Sequence, residues 1–427
     1  MFRNSIGLLA GSKILYCVVL LGCTIPHPIP QPGQKPAPHI IANENASFFP
    51  ELIASYSPIC KTVIEHADQY EVQILYTHIE RDAAGKPLCT EYSFRVNPGA
   101  YFNPASLVKL PVACLALQKL RELNIPGLDI NTPLVVGAAY ACQRSVSRDF
   151  TAPNGLPTIG HYIKKALIVS DNDAYNRLYE FLGQQYINTT LTRMGYPYAR
   201  IIRRFSRCTA EQNRYTNPFT FFTPEGAVLY RQPLLVNTDI LTNPLGAVRK
   251  GRGYRDEHGR IIPEPFNYET HNYLCLRDVH RMLQSIIFPE LFPESMRFHL
   301  APEDYRFLRF CLSSLPRESG IPVFSNPATY PDNYKKYFIF GDAPNGVIDT
   351  GSIKIFNVVG RTDGFLADCA YITCLDEHIE FFLSAVMYVN ANGIIKDGVY
   401  EYKELGIPFF AHLGRALLAH EKNMRTR

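Results

Sequence analysis

The stretch Ile353-Lys-Ile-Phe-Asn-Val-Val359, followed by Ala367-Asp-Cys-Ala-Tyr-Ile-Thr-Cys374 and Ile379-Glu-Phe-Phe-Leu-Ser-Ala-Val-Met-Tyr-Val389, decides the fold. All three runs are apolar, β-branched and aromatic, so they read as consecutive strands. Their partners stand near the other end of the chain. Residues 72–79 alternate Val72, Ile74, Tyr76 and His78 against Gln73, Leu75, Thr77 and Ile79. Both faces are fairly apolar, as in a covered central strand. Asp82-Ala-Ala-Gly-Lys86 reads as a turn, after which residues 90–96 pair back as a second strand.

Helical spacing fills much of the remainder. Residues 52–67 place Leu52, Ile53, Tyr56, Ile59, Val63 and Ile64 on one stripe, and residues 106–123 are strongly helical. The middle of the chain, to Leu315, reads mainly as helices and long loops. Residues 407–420 form a final helix with Phe409, Leu413, Leu417 and Leu418 on one side. The order is helix, two strands, helical block, three strands, helix. It predicts an α+β fold with an antiparallel sheet built from both chain ends and flanked by helices. The folded domain is assigned to residues 48–421, its α/β part to 48–105 and 325–421, and a large inserted helical subdomain to 106–324.

Of 427 residues, 46% are hydrophobic, 12% aromatic and 19% charged, which excludes disorder, collagen and long coiled coil. A formal charge of +4 over this length gives no electrostatic case for nucleic acid. The N-terminus carries Arg3 and Lys13, then Ile14-Leu-Tyr-Cys-Val-Val-Leu-Leu-Gly-Cys23. That apolar core is about half the roughly 20 residues of a membrane span and suits an export signal. Leu20-Leu21-Gly22-Cys23 resembles a lipobox, in which the signal (residues 1–22) is cut before a cysteine that receives a diacylglyceryl group. Prolines 26, 28, 30, 32, 36 and 38 then make residues 23–47 a stiff spacer. The expectation is export to the periplasm or cell surface, with lipid anchoring through Cys23. The 11 cysteines include no C-x-x-C pair, and their disulfide pairing stays open.

Ser106-Leu-Val-Lys109 lies where a loop ending in Asn103-Pro104 enters a helix. Residues three apart share a face, so hydroxyl and amine can meet. The helix N-terminus stabilises negative charge, and a partly desolvated lysine can serve as a base. An N-cap serine beside an exposed lysine gives the same spacing. Pro111 removes the donor for the Leu107 carbonyl and predicts a local kink. The second motif is Ser170-Asp171-Asn172, between helical residues 161–169 and 174–182.

Ser-x-x-Lys followed by Ser-Asp-Asn is the signature of class A β-lactamases and penicillin-binding proteins. Over nearly all of its folded part the chain resembles a class A β-lactamase-related serine hydrolase of the β-lactamase/transpeptidase-like superfamily. The resemblance extends to Thr216-Asn217-Pro218, Ile355-Phe-Asn357, Gly364-Phe-Leu-Ala-Asp-Cys-Ala-Tyr-Ile372 and Tyr388-Val-Asn390. It implies Ser106 as nucleophile, Lys109 as its base, Ser170 as proton relay to the leaving nitrogen and Asn172 as a substrate amide ligand. The oxyanion hole would use the N–H groups of Ser106 and of Arg361, next to Gly360. No metal or other cofactor is implied, and the expected state is a monomer.

Two departures stand out. The third motif, Lys-Thr/Ser-Gly, falls on Val358-Val359-Gly360, which keeps only the glycine. Arg361 is the nearest cation able to replace the lysine; Lys354 is less well placed. Asp349-Thr350-Gly351 is rejected, because its distance to Asp368 is wrong and its carboxylate would meet an anionic substrate. The candidate water-activating residue is Glu211, in Ala210-Glu-Gln-Asn-Arg214, at an unusual spacing. The cluster Arg249-Lys-Gly-Arg-Gly-Tyr-Arg255 reads as a solvated loop. The expected function is β-lactam hydrolysis through an acyl-Ser106 intermediate. The alternatives are a D-Ala-D-Ala peptidase or esterase of the same fold, or a weakened peptidoglycan-binding lipoprotein.

Overall fold

Apolar strands from the two ends of the chain meet across the intervening helices. The computed structural model describes residues 40–43 and 47–425. Its main sheet contains β1 (Ile40–Asn43), β2 (Gln73–Arg81), β3 (Pro87–Phe94), β4 (Ile353–Thr362), β5 (Phe365–Cys374) and β6 (Ile379–Tyr388). Their order is β1-β3-β2-β6-β5-β4. The N-terminal and C-terminal parts join at the antiparallel β2–β6 seam, where Leu75 lies opposite Ser384. Strand β4 closes one edge.

Among the described residues ten α-helices accompany the sheet: α1 (Phe48–Ala54), α2 (Pro58–Glu65), α3 (Lys109–Leu123), α4 (Ile159–Ile168), α5 (Asn172–Leu182), α6 (Gln184–Arg193), α7 (Ala210–Asn213), α8 (Leu276–Ile287), α9 (Pro302–Ser313) and α10 (Ile407–Arg425). Alternation along the strands splits the core into two. Tyr76, Leu366, Ile372 and Leu383 pack with Phe49 and Ile53 of α1, Val63 of α2 and Phe409, Leu413 and Leu417 of α10. From the other face, Leu75, Val358, Cys369 and Phe382 meet the larger cluster built on Leu115 of α3, Leu178 of α5 and Leu283 of α8. Each fully buried Leu or Phe contributes about 1.5–3 kcal/mol. The fold is α+β.

Three local expectations are corrected. Residues 52–67 form two helices, broken at residues 55–57, because Pro58 can only start a helix and Ser57 caps it by accepting from the Cys60 N–H. Within the stretch read as a spacer, β1 pairs parallel to β3; its β-branched start favours extended chain, and β3 offers an open edge. The middle block is not mainly helical between residues 215 and 267. There Phe219–Phe222 and Val228–Gln232 form a hairpin beside Leu134–Val136. The alternating Phe219 and Phe221, followed by Pro224 and Gly226, carry that signal. The signal at residues 1–22 and Cys23 lie outside the described residues. Among those described, no helix is long and apolar enough to cross a membrane.

Candidate functional site

Ser106 lies on a 3-10 turn, Ala105–Val108, that runs directly into α3. This short turn takes the place of the kink expected from Pro111. Ala105, before the serine, is left-handed (φ 44°), and its N–H donates to Asn103 Oδ1 at 3.0 Å. A non-glycine residue in that conformation is strained, as is common at functional sites. Ser170 is also left-handed (φ 58°), in the turn between α4 and α5. Asp171 caps α5 by accepting from the Ala174 N–H at 2.8 Å.

These two turns converge on the Lys109 amine. Nζ lies 2.8 Å from Ser106 Oγ, 2.5 Å from the Ser170 carbonyl oxygen, 3.0 Å from Ser170 Oγ and 2.8 Å from Asn172 Oδ1. The Phe205 ring lies beneath it, 5.3 Å from its centroid. Lys109 is 1% exposed. Burial therefore pushes its pKa well below the ordinary lysine value; Asp171 opposes this and Lys335 reinforces it. The donor count fits a neutral amine. Its two N–H groups satisfy the Ser170 carbonyl and Asn172 Oδ1, which can only accept. Its lone pair remains for a serine hydroxyl to donate to. This arrangement can take the proton of Ser106 without a water.

Gly360 and Arg361 reach the site from the free edge of the sheet. A Cβ on Gly360 would stand 2.7 Å from the Pro104 carbonyl oxygen, so only glycine permits β4 to lie this close to the loop before Ser106. Asp363 and Gly364 have φ of 53° and 88° and form the two-residue turn of the β4–β5 hairpin. In such a hairpin the flanking pair, Thr362 and Phe365, exchanges both main-chain bonds. Alternation then leaves the Arg361 N–H pointing away from β5, at the open edge. Val358 is buried at 2% exposure in the core. Lys354 is exposed, lies over Phe356 and lines a different cleft.

A cavity of about 380 Å³ opens from Ser106 and Asn172. Its walls include residues 203–207, His271, Arg361, Asp363 and Lys396. The 203–207 segment has no regular structure and is held by asparagines. Asn272 Oδ1 accepts from the Ile202 and Arg203 N–H groups at 2.8 and 3.1 Å, Asn213 Oδ1 from Arg204 at 2.9 Å and Asn176 Oδ1 from Phe205 at 2.8 Å. A disulfide between Cys142 and Cys208 anchors the residue that follows. Lys396 reaches the rim because Ile394–Ile395 pairs with Gly253–Arg255, within the basic cluster read as a solvated loop. In that cluster Lys250 is tied to Glu71 at 2.6 Å.

Glu211 is not brought to this cavity. It sits on α7, exposed, and accepts from Arg214 Nη1 at 2.5 Å. The only carboxylate among the residues lining the cavity is Asp363, which accepts from the Tyr268 hydroxyl at 3.0 Å. Among the described residues no group of three or more His, Cys, Asp or Glu is placed to hold a metal ion. Residues 203–207, His271, Lys335 and Lys396 carry no motif, so the sequence offered no signal for them.

Residues 59–248 match the family model described as Beta-lactamase enzyme family. The match includes Ser106, Lys109, Ser170 and Asn172 and stops short of Gly360 and Arg361; it supports a serine hydrolase of this fold. No curated protein matches the chain. Similar solved structures include a β-lactamase from Desulfarculus baarsii DSM 2075, at 14% identity and TM-score 0.46, covering 88% of this chain and 99% of that one. A β-lactamase from Sphaerobacter thermophilus DSM 20745 has 13% identity and TM-score 0.46, with 86% and 96% covered. A β-lactamase from Streptomyces albus G has 12% identity and TM-score 0.44, with 86% and 98% covered.

Proposed function

We propose that the protein is an exported, lipid-anchored serine hydrolase that opens β-lactam rings through an acyl-Ser106 intermediate. The observation that carries this reading is the buried Lys109 amine, in contact at once with Ser106, Ser170 and Asn172. Neutral Lys109 takes the Ser106 proton as Oγ attacks the carbonyl carbon. The oxyanion is received by the N–H groups of Ser106 and Arg361. Asn172 holds the substrate amide. Ser170 passes a proton to the leaving nitrogen and is resupplied by Lys109.

The position of Glu211 favours a second reading of the same chemistry. With no glutamate among the described residues lining the cavity to activate water, the acyl-enzyme persists, as suits a D-Ala-D-Ala peptide of the cell wall as acyl donor. One experiment addresses both: intact mass of the purified protein against time with a penicillin. A transient Ser106 adduct with turnover supports β-lactam hydrolysis, and a long-lived adduct supports the peptidase reading. Absence of both adduct and turnover would refute the acyl-Ser106 reading, and an adduct that survives Ser106→Ala would refute the nucleophile.

A further inference from the structure

The walls of the Ser106 cavity are charged far beyond what one carboxylate balances. Arg203, Arg207, Arg361 and Lys396 line it, and none of them has a carboxylate within ion-pairing distance among the described residues. Arg204 also lines it, but its guanidinium turns into the core and donates to Glu180 at 2.7 Å. The one acid in the wall, Asp363, accepts from the Tyr268 hydroxyl and lies in the field of both Arg203 and Lys396, without a direct ion pair to either.

Arg203 and Lys396 are held in place rather than loose. Arg203 Nη1 donates to His271 Nε2 at 2.5 Å, and Lys396 Nζ stands 3.9 Å over the Phe266 ring. Burial drives the His271 pKa down to about 2, with Arg203 acting in the same direction, so the ring is neutral and accepts at Nε2. Its Nδ1 then carries the proton, is buried, and finds no partner among the described residues. Four cations that share only the field of Asp363 are an incomplete environment that an anion would complete.

The position of Ser170 tells which part of the substrate lies here. Asn172 and Ser106 line the cavity and Ser170 does not. On the proposed reading Ser170 protonates the leaving nitrogen and Asn172 holds the acyl-side amide, so the leaving side lies towards Ser170 and the acyl side towards this cavity. The cavity receives the acyl part.

We infer that the acyl group delivered to Ser106 carries its own anionic group, received by Arg203 and Lys396. This rests on the acyl-Ser106 reading and narrows it to acyl donors with a carboxylate on the acyl side.

Three penicillins that differ only there test it: benzylpenicillin, carbenicillin with an added side-chain carboxylate, and ampicillin with an ammonium. Second-order acylation rates from intact mass are expected to rank carbenicillin first and ampicillin last. The gain from the carboxylate is about tenfold or more, falling as salt is added. In the Arg203→Gln/Lys396→Gln variant the carbenicillin-to-benzylpenicillin ratio should drop towards one. A wild-type ratio at or below one, or a ratio unchanged in the variant, would overturn the inference. If no penicillin acylates Ser106, the earlier reading fails, and calorimetry of Ser106→Ala with carbenicillin and ampicillin still decides this one. A preference for carbenicillin that Arg203→Gln abolishes supports the anion site; no preference overturns it.

Discussion

Gly360 and Pro104 approach so closely that a methyl group on Gly360 would stand 2.7 Å from the Pro104 carbonyl oxygen, with Leu107 and Ala105 also in contact. The edge strand and the loop before Ser106 are thus set against each other by the absence of one side chain. Gly360→Ala must push them apart by a fraction of an ångström to 1 Å. Misplacement of that order costs about a hundredfold in rate when the reacting groups must align. The expected result is a penicillin acylation rate down about a hundredfold. Stability, read from thermal unfolding, should fall by about 1–3 kcal/mol. A wild-type acylation rate in this variant would show that the Arg361 N–H does not serve Ser106.

The buried amine sets the pH dependence. Its folded pKa lies well below the ordinary lysine value, and the active form is the neutral one. Acylation is therefore full above that folded pKa and is lost as pH falls through it. Measured by intact mass across about pH 5 to 9, the rate should show one acid limb below the lysine range. Lys109→Met should abolish the limb and lower the rate by about 10²–10⁴. A flat wild-type profile, or a limb that persists in Lys109→Met, would assign the base elsewhere.

The sheet was legible because buried strands of ten residues such as β5 and β6 have few other ways to hide so much apolar surface. The contact of Ser106, Lys109, Ser170 and Asn172 was legible because each pair is fixed by local geometry, one turn of helix and one three-residue turn. The cationic wall was not. Residues 203–207 are placed by side chains of Asn176, Asn213 and Asn272, long-range partners that leave no periodicity in the segment they hold. The place of Glu211 outside the cavity is hidden for the same reason. Distance along the chain from Ser170 could not tell which part of an irregular segment faces the cavity, and residues 203–207 do. The split of residues 52–67 is signalled by Pro58, although the apolar stripe runs on across it.

The Cys142–Cys208 disulfide closes a long loop beside Arg207, and it ties the cationic wall to the region around Cys142. The Cys142→Ser/Cys208→Ser variant should lose about 2–5 kcal/mol in denaturant unfolding. Reductant should shift the wild-type midpoint and leave that of the variant unmoved. Carbenicillin acylation should fall more than thermal stability alone would dictate, because residues 203–207 lose their anchor. A wild-type midpoint indifferent to reductant would show that the bond does not form in solution.

Behind β4, Asn357 joins two buried ionisable groups, Lys336 and Asp368. Lys336 Nζ donates to Asn357 Oδ1 at 2.9 Å and to the Leu312 and Ile355 carbonyls at 2.9 and 2.8 Å. The Asn357 amide donates to the Lys335 carbonyl at 2.6 Å and to Asp368 Oδ1 at 2.9 Å. All four residues are at most 5% exposed, so no solvent replaces a lost partner. Asn357→Leu should therefore cost at least about 3 kcal/mol, since it strips acceptors and donors from groups that remain buried. Adding Lys336→Met removes the stranded amine along with its partner. The double variant should accordingly be more stable than Asn357→Leu alone, by a coupling of about 1–3 kcal/mol in a double-mutant cycle. Strictly additive losses would mean that the two side chains do not share one network, and that β4 is held beside Ser106 by packing alone.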